Sequence, residues 1–208
     1  MKRRVILVCR TDALGDALLV LPFCFALKRA RPDAEVVLLA SAYAAPLLEG
    51  QPGPDRVLAY DRLGRHRGVL GWWRLTRQLR AAGCQEAFLV FPDFRVSLAA
   101  AAAGIARRVG TGRRAWSWLY NRRVELKRAG GDRHEADYNL DLLRADGGDA
   151  PLVPPRLRVR AEAAAWAADR LRAMGRDPSL PLVILHPGSR GSAANWPPER
   201  YALLAQAL

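Results

Sequence analysis

The stretch 5-VILVC-9 followed by 11-TDALGDALLVLPF-23 decides the fold. A five-residue aliphatic run bounded by charge is the signature of a buried parallel strand, and the segment behind it continues as an apolar helix. Between the two lies a short loop through Leu14 and Gly15 that ends at Asp16. The same alternation recurs downstream. Strands are expected at 35–41, 56–60 and 86–91, and helices at 17–30, 70–82 and 97–105. Strands that alternate with helices imply an α/β domain whose parallel sheet is covered on both faces. Gly83 and Gly104 follow two of the helices as C-terminal stops.

The segment 110-GTGRRAWSWLYNRRVELKR-128 is basic and aromatic without a clean period, and 134-HEADYNLDLLRADG-147 reads as a helix. Next, 150-APLVPPRLRVR-160 is rich in proline, which disfavours a continuous helix and suits a linker at 151–160. Beyond it a helix is expected at 161–174, a strand at 182–185, a loop HPGSRGSAANWPP, and a helix opening at Pro198. One helix, one strand and the start of another helix are too few to close a core. The expectation is therefore a complete domain at 1–150 and the truncated opening of a second at 161–208, with an exposed apolar face.

Lys plus Arg number 33 and Asp plus Glu 20, a formal charge of +13. That excess favours polyanionic partners. An Arg- and Ala-rich compositional bias, with only three lysines, would leave the same trace. Three cysteines, Cys9, Cys24 and Cys84, form neither an even disulfide set nor a metal-type spacing, which fits a reducing cytoplasm. The basic N-terminus precedes an apolar run too short for an export signal, and 17-ALLVLPFCFAL-27 is far below the ~20 residues of a membrane span.

Two loops have the makings of a site. A loop at the carboxyl end of a parallel strand is where ligands gather. Asp16 there is open to two readings: an N-cap that bonds the free amides of the first turn, or a carboxylate that accepts a proton from a sugar hydroxyl. Gly15 would let a substrate approach the backbone. A dinucleotide fingerprint and a P-loop are both absent. In 185-LHPGSRGSAANWPPERY-201, Gly188, Ser189 and their neighbours make a donor-rich loop before a helix, able to hold a phosphate or to act as an ordinary turn.

Taken together, 10-RTDALGDALLVLP-22, 134-HEADYNLDLL-143 and 186-HPGSRGSAANWPPERYALLA-205 resemble glycosyltransferase family 9, the lipopolysaccharide heptosyltransferase family. The stretch 91-FPDFRVSLAAAAAGIARRVG-110 is most similar to the heptosyltransferase II branch. The resemblance implies a GT-B architecture of two Rossmann-like domains, the first binding acceptor and the second a nucleotide sugar. It implies Asp16 as the general base of an inverting transfer, without metal or other cofactor, from a donor such as ADP-heptose. Thr11, Asp12, Gly15, Arg95, Arg113 and Arg122 would serve a phosphorylated, lipid-linked oligosaccharide acceptor, and Gly188, Ser189 and Arg190 the donor diphosphate. The implied location is cytoplasmic, with peripheral contact at the inner membrane.

Two departures qualify the likeness. Where the family carries a Lys two residues before its late Trp, this chain has Ala194, and an acidic D-[ST]-G-x-x-H segment of the donor domain has no counterpart. An acceptor-binding module without catalysis is therefore the alternative. Arg62, Arg65 and Arg67, and Arg113, Arg114, Arg122 and Arg123 around Trp116, Trp118 and Tyr120, could grip phosphates and acidic sugars bidentately. Single-stranded nucleic acid ranks below this, since no strand carries alternating aromatics.

Overall fold

The computed structural model describes residues 3–126, 133–148, 150–154, 156–188 and 194–208. Two compact units result, Met1–Arg158 and Val159–Leu208. The first is a six-stranded sheet, β1 (Val5–Arg10), β2 (Glu35–Ser41), β3 (Arg56–Tyr60), β4 (Glu86–Leu89), β5 (Arg107–Thr111) and β6 (Arg122–Val124). Its order is β3-β2-β1-β4-β5-β6, and every pairing is parallel.

Side-chain alternation divides the core between the two faces. Ile6, Val8, Val36 and Leu38 point to one side, against Phe23, Leu27, Leu140 and Leu143. Leu7, Cys9, Val37 and Leu39 point to the other, against Leu75, Leu79, Ala99 and Tyr120. The first face is covered by α1 (Leu14–Leu18), α2 (Leu21–Ala30) and α6 (Glu135–Arg144), with the short α3 (Ala45–Leu48) nearby. The second is covered by α4 (Gly68–Ala81) and α5 (Phe94–Ala102). Cys9, Cys24 and Cys84 are buried thiols, and burial pushes Cys84 up to about 11.

The single helix expected at 17–30 is two. Pro22 has no N–H to continue the ladder, so α1 stops at Leu18 and α2 starts at Leu21 with proline in its first turn. β5 and β6 lie where no strand was expected. Each begins with two arginines, whose charge masks the period, yet Val109 and Gly110 are buried between β4 and β6. Gly110 admits the Tyr120 ring: a Cβ there would stand 2.8 Å from two of its carbons. The Tyr120 hydroxyl lies 2.9 Å from the Ser97 hydroxyl.

At the amino ends of β4 and β5 a wholly buried carboxylate, Glu86, meets Arg31 (2.6 Å), Arg4 (3.0 Å) and Arg107. Asp146 meets Arg31 (2.8 Å) and Arg107. Burial pushes the Asp146 carboxyl up, but hydrogen bonds and charge from Arg107, with Arg31, outweigh it and hold the group below the usual range. After α6, Gln51 clamps the chain: its Nε2 donates to the Arg158 carbonyl (3.0 Å) and its Oε1 accepts from the Arg158 amide (2.8 Å).

The second unit holds α7 (Ala161–Ala173) and α8 (Pro198–Ala207). The strand expected at 182–185 does not form. A parallel strand needs a neighbouring ladder, none is present among the described residues of this unit, and Pro181 and Pro187 remove two of the segment's flanking donors. Leu182, Val183 and Ile184 are accordingly exposed, as are Trp166 and Trp196.

Candidate functional site

Strand β1 ends on Arg10, and that residue organises the loop behind it. Its side chain is only 4 % exposed, although a guanidinium buried alone would be costly. Four partners compensate. Nε donates to Asp12 Oδ1 (2.9 Å), and Nη1 to Asn139 Oδ1 (3.0 Å) and Glu135 Oε1 (3.3 Å). Nη2 lies 3.1 Å from Asp16 Oδ1. One of these partners, Asp12, comes from the loop, one, Asp16, from α1, and two from α6, more than a hundred residues later. The α6 side is fixed in turn: His134 Nδ1 accepts from the Ala136 amide (3.2 Å), and Asn139 Nδ2 donates to the Leu19 carbonyl (3.1 Å).

Of the two readings of Asp16, the structure removes the N-cap. Helix α1 starts at Leu14, its N-cap is Ala13, and no side chain caps it. Asp16 is the third helical residue, its carboxylate 40 % exposed and held by Arg10. Gly15 beside it is exposed, with open space where a Cβ would stand.

Asp16 lies on a cleft of about 540 Å³. Arg10, Asp12, Asp16 and Glu135 contribute to its lining, with Val90, Phe91 and Pro92 from the loop after β4, Thr111 from the end of β5, and Arg113 and Arg114 from the turn after it. The position follows from topology. From adjacent strands β1 and β4 the chain departs to opposite faces, leaving a crevice at their carboxyl ends, the usual ligand place in an open α/β sheet. Chemically the crevice combines an acidic cluster with arginines able to pair with phosphate or carboxylate. Burial pushes the Asp12 carboxyl above its ordinary value; Arg10 opposes this, and the Asp16 carboxylate adds to it.

The remaining residues singled out in the sequence lie apart. Thr11 is half-buried in the loop and does not line the cleft. Arg95 donates to the carbonyls of His66 (3.1 Å) and Gly68 (2.7 Å), and Arg122, on β6, to that of Ala145 (3.1 Å). Gly188 adopts a φ of 109° in the second unit, and Ser189 and Arg190 lie outside the described residues. Arg10, Glu135 and Asn139 escaped the sequence reading. The signal for Arg10 was present: an arginine closing a wholly apolar strand must find anionic partners. Among the described residues no three His, Cys, Asp or Glu side chains are grouped to hold a metal ion.

No protein-family model matches the chain. The structure superposes on a family 9 glycosyl transferase from Veillonella parvula with a TM-score of 0.89 and 23% identity, covering 100% of this chain and 60% of that one. The fold is that of a family 9 glycosyltransferase. The ADP-heptose lipopolysaccharide heptosyltransferase II of E. coli gives a TM-score of 0.71 at 21% identity, over 98% of this chain and 60% of its own. A Haemophilus influenzae protein named provisionally as a glycosyltransferase is 28% identical over 209 residues, 98% of this chain. The chain spans about 60% of the length of each of these proteins.

Proposed function

We propose that this chain supplies the acceptor side of an inverting glycosyltransferase that moves heptose, or a related sugar, from a nucleotide-sugar donor to a phosphorylated, lipid-linked lipopolysaccharide core acceptor. The observation that carries this reading is the half-open Asp16 carboxylate on the crevice between β1 and β4, with Arg113 and Arg114 on the same cleft. In this reading residues 1–150 bind the acceptor and 161–208 open the nucleotide-sugar domain, where Gly188 and the loop after it meet the donor diphosphate. ADP-heptose is the donor of choice, in keeping with the name of the E. coli protein of like fold.

The chemistry is a single displacement. Asp16 accepts the proton of the acceptor hydroxyl as its oxygen attacks the anomeric carbon, and the sugar–phosphate bond breaks with its electron pair leaving on ADP. Attack opposite the leaving group inverts the anomeric configuration. Arg113 and Arg114 pair with acceptor phosphates or acidic sugars, while Arg10 keeps Asp16 turned into the cleft. The work takes place at the cytoplasmic face of a membrane that holds the acceptor.

The test is transfer of radiolabelled heptose from ADP-heptose to a core acceptor, with Asp16→Asn as the control. A loss of roughly 10²–10⁴ in rate is expected for removal of a general base; an unchanged rate would sink the assignment. A second reading, acceptor binding without catalysis, draws on the second unit, in which none of the described residues is buried. Acceptor binding in calorimetry, together with neither ADP-heptose binding nor transfer, is the outcome that selects it.

A further inference from the structure

Residues 62–85 contain six arginines and neither Asp nor Glu, and the same stretch presents four exposed large apolar side chains. Leu63 is 85 % exposed, Leu70 74 %, Val69 72 % and Trp73 50 %. Helix α4 packs on the sheet with Leu75 and Leu79. Its outward arc, where a globular helix is ordinarily polar, carries Val69, Leu70 and Trp73, followed by Arg74 and Arg77.

These side chains are held out by an ordered turn. The Asp61 carboxylate accepts from the amides of Gly64 and Arg65, both at 2.8 Å, and the buried His66 ring accepts from the Asp61 amide at 3.0 Å. Arg95 pins the carbonyls of His66 and Gly68. Leu63 therefore sits at the tip of a braced loop with no route to the core. Nearby acids are already engaged, Asp61 by those amides and Asp93 by the Val96 amide and by Arg62 (3.8 Å), the one arginine of the six with a carboxylate partner among the described residues. The patch thus presents cations and apolar tips together.

We propose that this loop and the outer face of α4 dock on an anionic lipid bilayer. Leucine, valine and tryptophan enter the headgroup boundary while arginines pair with lipid phosphates, an arrangement suited to a surface rather than a span. Charge complementarity singles out this occupant, since a protein partner would have to supply a similarly broad acidic and apolar face. The loop leaves the carboxyl end of β3, so it shares an edge of the parallel sheet with the Asp16 loop after β1. Docking there brings the cleft to the membrane. The inference deepens the peripheral contact proposed above and rests on it, but its test needs no substrate and no turnover.

The 208-residue chain is sedimented with vesicles of phosphatidylcholine alone and with about 30% phosphatidylglycerol. Partition onto the anionic vesicles only, weakening as salt rises, is expected. Replacing Arg65, Arg67 and Arg77 by Gln should lower it about a hundredfold, at roughly one favourable contact per arginine near the surface. Replacing Leu63, Leu70 and Trp73 by Ser should lower it at least tenfold, with the melting temperature held as a check on folding. Equal partition onto neutral vesicles, full retention by either triple variant, or preference for an oligonucleotide over anionic vesicles would overturn the proposal.

Discussion

Arg10→Met is the perturbation whose size the structure sets best. Methionine keeps much of the length and removes the charge. It leaves the Asn139 oxygen, wholly buried, without its donor, at about 1–3 kcal/mol. It also strips Asp12, whose side chain is only 17 % exposed, of a charge-assisted bond, at about 1.5–3 kcal/mol. Glu135 and Asp16 are more open and can recruit water, so they add little. The sum is roughly 2.5–6 kcal/mol, a range centred on the ~3–5 kcal/mol that breaking a buried ion pair from one side costs, and the latter is taken as the expected deficit. For a chain of this length that is a fall in melting temperature of about 6–20 °C.

The pH dependence has a definite sign. Without Arg10 the Asp12 carboxyl loses the influence that opposes burial, so its folded-state affinity for a proton rises further above the ordinary 3.8. A raised carboxyl favours the folded state below the unfolded value and loses that advantage as pH climbs through the folded value. The deficit of Arg10→Met should therefore be largest near neutrality and shrink toward pH ~4. Urea unfolding followed by circular dichroism at both ends of that range measures it. A deficit below ~1 kcal/mol near neutral pH, or one that grows on acidification, would refute the assignment of Arg10 as the buried hub.

Asp146→Asn should destabilise the chain near neutral pH and make it less sensitive to acid. The wild-type carboxyl is held low, so its contribution is present above the unfolded value of 3.8 and is lost as pH falls through the folded one; acid titration of ellipticity reads both. Gly110→Ala should cost about 1–3 kcal/mol, because Tyr120 is buried and its hydroxyl is engaged by Ser97, so the ring has little freedom to retreat. A neutral result in thermal unfolding would mean that the sheet yields there instead.

The first four strands were legible because their side chains are aliphatic and their ends are marked by charge or turn residues. Strands β5 and β6 were not, since Arg107, Arg108, Arg122 and Arg123 open them with charged side chains while their backbones pair normally. Local pattern overstated residues 182–185: Leu182, Val183 and Ile184 have strand composition, but a ladder is a property of two segments. At the site, Asp16 was found in its motif, but its capping alternative fell to a helix start two residues earlier than the motif suggested. The convergence of Arg10 with Glu135 and Asn139 is a tertiary fact, invisible to any window short enough to show periodicity.

That convergence also has a time axis. On a ribosome Arg10 emerges well before its α6 partners, which follow 125 and 129 residues later. At about 5–20 residues per second the interval is roughly 6–25 s. Throughout it the nascent loop carries its motif without the Glu135 and Asn139 side of the clasp. Only when β5 and β6 have been added can α6 close over the first face and fix Asp16. Translational pausing ahead of residue 135 would prolong an open, unclasped state, whereas the finished helix commits the crevice to one geometry.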